Sequence, residues 1–190
     1  MTNEFFRFPQ TPHLAWLGEG APRDDKLLTS DEIAALLADE VVVEEKLDGA
    51  NLGLSLDAEG QLRAQNRGQY LDAPHAGQFA RLPAWLVQHD EALHAALTPD
   101  LILFGEWCAA RHSLDYAALP DWFLLFDVYD RSTGRFWSTA RRDALASRVG
   151  LITVPKLLQG KVTVATLKQM VVSRTRQYRE GGLEGVVARR

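Results

Sequence analysis

Apolar positions along the chain change period several times, and the changes mark its elements. VVVEEKL opens with a β-branched run and predicts a strand. In NLGLSLD, Leu52, Leu54 and Leu56 alternate with small or polar residues, as on a half-buried strand. QLRAQ follows across Ala58-Glu59-Gly60, so the two segments predict a hairpin. LILFGEW (101–107) and WFLLFDVYD (122–130) predict longer apolar strands. A turn at Thr133-Gly134, a short return strand RFW and a closing strand in LEGVVARR complete the set. Helical spacing is found elsewhere. Thr29-Ser30-Asp31 caps a short helix with Ile33, Leu36 and Leu37 on its apolar face. Over 75–97, Phe79, Leu82, Leu86 and Leu93 share a face, and Pro83 is expected to break the run into a short helix and a longer one. Ser138-Thr139 caps a helix through 149, and VTVATLKQMVVSRTRQYRE predicts one or two more. Residues 1–30, rich in Pro, Gly and short polar residues, read as an extended lead-in within an N-terminal stretch reaching residue 40. Strands in hairpins and helices in separate runs predict an α+β fold of antiparallel sheets, not a doubly wound one.

Composition narrows the class without touching the chemistry. At 190 residues the expectation is one domain with a proper core, and 46% hydrophobic with 24% charged residues is ordinary for a soluble protein. No apolar run approaches the ~20 residues of a membrane span. The start, MTNEFFRFPQ, lacks the pattern of a secretory signal. The single cysteine, Cys108, excludes an internal disulfide and fits a reducing cytoplasm. A net charge of -4 gives no global attraction to nucleic acid but allows a local basic cleft. Cytoplasmic location is therefore expected, and the oligomeric state is left open.

Charged residues at the ends of buried strands carry the chemical signal. Lys46 emerges from the valines in EEKLDGANLG; it reads equally as a solvated lysine paired with Glu44 or Asp48, or as a nucleophile whose charge the valines help to remove. Glu106 in LFGEW, Asp127 in LLFDVYD and Glu184 in LEGVVA each place a carboxylate in an apolar strand. Such a group must be paired, hydrogen-bonded or holding a metal. Singly, each reads as a structural ion pair; together with Lys46 they resemble strands delivering charges to a site for metal-assisted phosphoryl chemistry. Other polar residues read blandly. His13 is a loop histidine, Arg111 and His112 an exposed loop, Asp24-Asp25 a solvated pair and Cys108 a small buried residue. Arg174, Arg176, Arg179, Arg189 and Arg190 form either a phosphate-tracking surface or a solvated face.

KLDG (46–49), NRG (66–68), FGEW (104–107), WFLLFDV (122–128) and EGVV (184–187) occur in the order of the motifs of covalent nucleotidyltransferases, the polynucleotide ligases and mRNA capping enzymes. Over about residues 40–190 the chain most resembles the ATP-dependent RNA ligase branch. The resemblance implies a nucleotidyltransferase (ATP-grasp-like) fold, antiparallel sheets flanked by helices with a nucleotide cleft between them, filling residues 1–190 as a single domain. It implies that Lys46 attacks the α-phosphate of ATP, forming lysyl-AMP. AMP then passes to a 5′-phosphate RNA end that a 3′-hydroxyl end joins, as in RNA repair, with Mg²⁺ or Mn²⁺ assisting. By position, Glu45 faces the adenine, with Asp48 and Gly49 in the nucleotide pocket and Asn51 near the reactive phosphate. Arg67 contacts nucleotide or 5′-phosphate, Glu106 the ribose hydroxyls, and Phe126 stacks on the base with Asp127 supporting the pocket. Glu184 positions the metal, and Gly185 permits close backbone approach. The family's last motif, a strand with two lysines beyond EGVV, and any appended domain are absent from these 190 residues. Two alternatives remain: a DNA ligase or GTP-using capping-type enzyme on the same fold, and a non-catalytic nucleotide- or RNA-end-binding module.

Overall fold

The computed structural model describes residues 4–18, 27–109, 119–178 and 181–190. In chain order its elements are α1 (Ser30–Leu37), β1 (Val41–Glu45), β2 (Ala50–Leu56), β3 (Leu62–Gln65), α2 (Leu82–Gln88) and α3 (Asp90–Ala96). There follow β4 (Leu101–Trp107), β5 (Phe123–Asp130), β6 (Arg135–Phe136), α4 (Thr139–Val149), β7 (Lys156–Gly160), α5 (Val164–Ser173) and β8 (Val186–Arg189). The expected mixture of helices and antiparallel sheets is what forms. Two compact units divide the chain: Met1–Phe8 with Asp48–Val154, and Pro9–Leu47 with Pro155–Arg190.

The first unit holds a five-stranded antiparallel sheet in the order β3-β2-β4-β5-β6. The alternating leucines of β2 send Leu52 and Leu54 to one face, where they join Leu103, Phe123, Leu125 and Val128. Leu82 and Trp85 of α2, Leu93 of α3 and Leu145 of α4 close this core. Each buried aliphatic or aromatic side chain here contributes about 1.5–3 kcal/mol relative to exposure. The hairpin turns where expected, with Gly60 in the left-handed region (φ 79°). Pro83 behaves differently from the expectation. It lies in the first turn of α2, where its missing N–H costs nothing, so it starts this helix instead of breaking one. The interruption falls at His89 between α2 and α3, and a one-turn 3₁₀ segment, Gly77–Phe79, precedes them.

The opposite face of this sheet is covered by the N-terminal segment. Phe6 stacks on Tyr129 at 3.6 Å between ring centroids, and Phe8 contacts Phe104, Phe126 and Phe136 at 4.9, 5.3 and 5.6 Å. The segment is tied down by backbone as well: Gln65 Nε2 donates to the Phe6 carbonyl at 2.8 Å, and Arg131 Nη1 donates to that of Glu4.

The second unit holds a three-stranded sheet, β7-β1-β8, with β1 in the centre and antiparallel to both neighbours. Val41 and Val43 are buried against Val162, Leu167 and Met170, the last two from α5. The predicted cap of α1 forms as a capping box: Thr29 Oγ1 accepts from Glu32 N, and the Glu32 carboxylate accepts from Thr29 N. One strand here was not read from the sequence, and one helix ends earlier than expected. KLLQG is strand β7, although its two adjacent leucines carry no alternation; its partner β1 makes it a strand. The helix expected over VTVATLKQMVVSRTRQYRE ends at Ser173, and Arg174 is already extended. A turn then leads back through Gly181, at φ 102°, with Thr175 bridged to Gly182. No helix of the described residues is long and apolar enough to cross a membrane. Asp24, Asp25, Arg111, His112 and Arg179 lie outside the described residues.

Candidate active site

The boundary between the units falls between Leu47 and Asp48, inside KLDG, so the predicted site residues form two groups. Glu45, Lys46 and Glu184 belong to the second unit. Asp48, Gly49, Asn51, Arg67, Glu106, Phe126 and Asp127 belong to the first.

In the second unit Lys46 follows the last residue of β1, and its backbone N–H donates to Gly185 O at 3.0 Å. That bond extends the β1–β8 pairing by one step and sets Lys46 beside Glu184. Lys46 Nζ donates to Glu184 Oε1, and the lysine stem passes 3.4 Å from where a Cβ on Gly185 would lie. The pair is not buried: the side chains are 46% and 33% exposed. Desolvation of Lys46 by the valines, one of the two readings of the sequence, is therefore not found. Val41 and Val43 point into the α5 core, while Lys46 has left the strand, and its immediate electrostatic partner is a carboxylate.

The two preceding glutamates are buried instead. Glu44 Oε2 accepts from Arg189 Nε at 2.7 Å with only 1% of its side chain exposed. Glu45 Oε2 accepts from the backbone N–H of Gln177 at 3.2 Å. Burial pushes the Glu45 carboxyl above its ordinary range, a shift the Gln177 N–H and the Arg176 charge partly offset. Both carboxylates thus anchor neighbouring chain: Glu44 holds β8, and Glu45 holds the turn leading into Glu184. The terminal arginines are engaged too. Arg174 donates to Leu157 O, Arg176 to Gly182 O, Arg189 to Glu44, and Arg190 to Ala35 O and Asp39. These four brace their own unit, and Arg179 lies outside the described residues.

In the first unit the site residues lie around β2 and β4. Gly49 N–H donates to Glu106 Oε1 at 2.9 Å, and a Cβ on Gly49 would meet Trp107 O at 2.5 Å. Glycine is required there by close approach, and Glu106 fixes the turn that follows KLD. Asn51 pairs with Glu106 across the ladder, and its Oδ1 is buried with no hydrogen-bond partner. A buried amide oxygen left unsatisfied costs about 1–3 kcal/mol, so this acceptor is available for a ligand donor. Arg67 is exposed on a tight loop that Asn66 builds: Asn66 Oδ1 accepts from Gly68 N and Gln69 N, at 2.8 and 2.9 Å. Asp48 is exposed, Asp127 is buried in β5, and Cys108 is buried as expected.

Phe126 occupies an irregular position. Phe104 pairs with Asp127 and Gly105 with Leu125, so Phe126 is the extra residue of a bulge. Its carbonyl accepts from Nη1 of the buried Arg142 at 2.6 Å. Arg142 was not anticipated: TARRD reads as an exposed helical run, and nothing in it distinguishes Arg142 from Arg141.

The family model described as RNA ligase matches residues 39–190. No curated protein matches the chain. Among solved structures, an arginine-to-alanine variant of Naegleria gruberi RNA ligase with ATP and Mn is similar at 19% identity and a TM-score of 0.65. That match covers 84% of this chain and 49% of the other. A lysine-to-alanine variant of the same ligase with ATP and Mn matches at 20% identity, TM-score 0.64, covering 84% and 48%. A lysine-to-methionine variant with AMP and Mn matches at 19%, TM-score 0.63, covering 83% and 48%. The likeness establishes a shared fold, and the chain spans about half the length of these solved proteins.

Proposed function

The chain belongs to the RNA ligase family, and from that premise we propose that it is an ATP-dependent adenylyltransferase acting on RNA ends. Lys46 attacks the α-phosphorus of ATP; a P–N bond forms, the bond to the bridging oxygen breaks, and pyrophosphate leaves. AMP is then transferred to a 5′-phosphate end, and a 3′-hydroxyl displaces it as the ends join. The observation that supports this most directly is the contact of Lys46 Nζ with Glu184, held in register by the Lys46 N–H···Gly185 bond. Nζ must shed a proton before it attacks, and the carboxylate receiving its hydrogen bond is placed to take it.

The other assignments follow the chemistry of each group. Glu106, already bound to Gly49 through one oxygen, uses its carboxylate toward the ribose hydroxyls. The orphan Oδ1 of Asn51 accepts from a ligand donor close to the phosphates. Exposed Arg67 offers a bidentate fork to phosphate. Phe126 stacks on adenine, with Asp127 beside it in the strand; Glu45 and Asp48 complete the nucleotide set. Glu184 fits a divalent cation of the Mg²⁺ or Mn²⁺ kind. Such ions use one or two carboxylates plus water and substrate phosphate, and no cluster of three or more ligating side chains is found among the described residues. When bound, the ion would neutralise charge on the phosphates.

The test is covalent labelling. With α-labelled ATP and Mg²⁺, the protein should acquire a denaturation-resistant label that Lys46→Ala abolishes. Sealing of pre-adenylylated RNA checks the last step separately, and Glu184→Gln should impair it while leaving the fold intact. A folded protein that takes no label from ATP and seals no adenylylated end would be a binding module instead.

A further inference from the structure

The ring proposed to carry the base is itself held by a residue outside the family-matched region. Phe8 precedes residues 39–190 and lies on the N-terminal segment that covers the second face of the five-stranded sheet. Its ring meets that of Phe126 edge to face, centroids 5.3 Å apart and planes at 69°. Aromatic pairs of this geometry gain orientation-specific energy beyond the area they bury.

The bulge sets Phe126 off the regular register of the ladder. Bulges turn a side chain away from the regular pleat, and Phe126 lies between Leu125, in register with Gly105, and Asp127, in register with Phe104. Along Phe123–Val128, Phe126 and Asp127 retain 9% and 8% exposure, while the other four are at 0%. Phe126 is thus the apolar residue of this stretch that is not fully enclosed. Arg142 fixes its backbone through the Phe126 carbonyl, and a backbone bond does not itself orient the ring. The edge-to-face contact with Phe8 acts on the ring itself. Phe8 is itself well founded: 7% exposed, against Phe104 and Phe136, on a segment anchored through Phe6 to Gln65 and Tyr129.

We propose that Phe8 is a positioning residue for base recognition, holding the Phe126 ring in the orientation that stacks on adenine. This rests on the stacking role given to Phe126 above. It makes residues upstream of the family-matched region part of the nucleotide-binding apparatus.

The experiment is equilibrium binding of ATP and UTP to the full chain and to Phe8→Leu, Phe8→Tyr, Phe126→Leu and the Phe8→Leu/Phe126→Leu double variant, each with its melting temperature. Phe8→Leu should raise the Kd for ATP about tenfold and change that for UTP much less, because a pyrimidine offers less area to the ring. Phe8→Tyr, which keeps the ring edge, should restore ATP binding. The double variant should bind ATP no more weakly than Phe126→Leu, since both changes remove one interaction. If Phe8→Leu leaves the ATP affinity unchanged while Phe126→Leu weakens it, Phe8 is not a positioning residue and the stacking role of Phe126 stands. If neither variant weakens ATP binding, the stacking role falls and this proposal with it. Equal weakening of ATP and UTP, with a lowered melting temperature, would reduce Phe8 to structural packing and overturn the proposal. Should Phe8→Leu fail to fold, Phe8→Met is scored by the same criteria.

Discussion

Gly49→Ala would add a methyl group where the fold has no room. The new Cβ would lie 2.5 Å from Trp107 O and 3.1 Å from Glu106 Cγ, whereas ordinary contact begins at 3.4 Å. Trp107 cannot retreat: it is fully buried, paired with Ala50 and Phe123 on its two sides, and its Nε1 donates to Gln78 O at 2.7 Å. The backbone at residue 49 must therefore move, and with it the N–H donated to Glu106 Oε1 at 2.9 Å. Overpacking of this kind costs about 1–3 kcal/mol. A strained hydrogen bond to a charged acceptor, worth about 1.5–3 kcal/mol when intact, is partly lost as well. A total near ~3 kcal/mol lowers Tm by roughly 6–12 °C for a chain of this size. Urea unfolding followed by tryptophan fluorescence reads this directly, because four of the five tryptophans, Trp85, Trp107, Trp122 and Trp137, belong to the first unit. Gly60→Ala is the control. Its Cβ would meet nothing within 4 Å, so it carries only the left-handed penalty of about 1–2 kcal/mol. The steric reasoning is refuted if Gly49→Ala costs no more than Gly60→Ala.

Two further outcomes are expected. Arg142→Met should destabilise the protein by about 1–3 kcal/mol, because it removes the buried bond to the Phe126 carbonyl together with the pair to Asp143; in urea midpoints it should cost more than Arg141→Met, which removes only an exposed cation resting on Trp137. Glu45→Gln should change the pH profile of stability. The folded protein holds the Glu45 proton more tightly than the unfolded chain, so this group's contribution falls as pH rises from the ordinary carboxyl value of 4.5 through the raised folded one. The variant removes that fall while keeping an acceptor for Gln177 N–H, and its stability relative to the natural chain should therefore improve between acidic and neutral pH. A relative stability that does not change across that range would contradict the sign.

How far the sequence anticipated the structure depended on whether a feature was local. The alternating leucines of β2 and the Thr29 cap depend on neighbouring residues, and they were legible. Pro83 was legible as a special position but not as a helix start, because the same ring that breaks a helix interior is accommodated in its first turn. Strand β7 was invisible because KLLQG owes its extended form to pairing with Val41–Val43 from a distant part of the chain. The ordered motifs drew attention to Lys46, Glu106, Phe126 and Glu184. What the motifs could not convey is how each is held. The Lys46–Glu184 contact, the bulge at Phe126 and the burial of Arg142 all arise from register and packing across strands. The valines misled in one respect, since the burial of Val41 and Val43 does not extend to the lysine beyond them.

The second unit is assembled from two stretches, Pro9–Leu47 and Pro155–Arg190, with Asp48–Val154 of the first unit lying between them in the chain. During synthesis this order imposes a delay. β1 leaves the ribosome with both of its edges open, and β7 and β8 follow only after more than a hundred further residues. At about 5–20 residues per second, the delay lasts on the order of ten seconds. A run of three valines with open edges is a template for pairing with another nascent chain. The charges of Glu44, Glu45 and Lys46 directly after it are the usual protection against such pairing. The same residues that later anchor β8, the turn before Glu184 and Glu184 itself thus guard the strand while it waits. A nascent chain halted at Val154 would hold every residue of the first unit while β1 still lacked both of its partners.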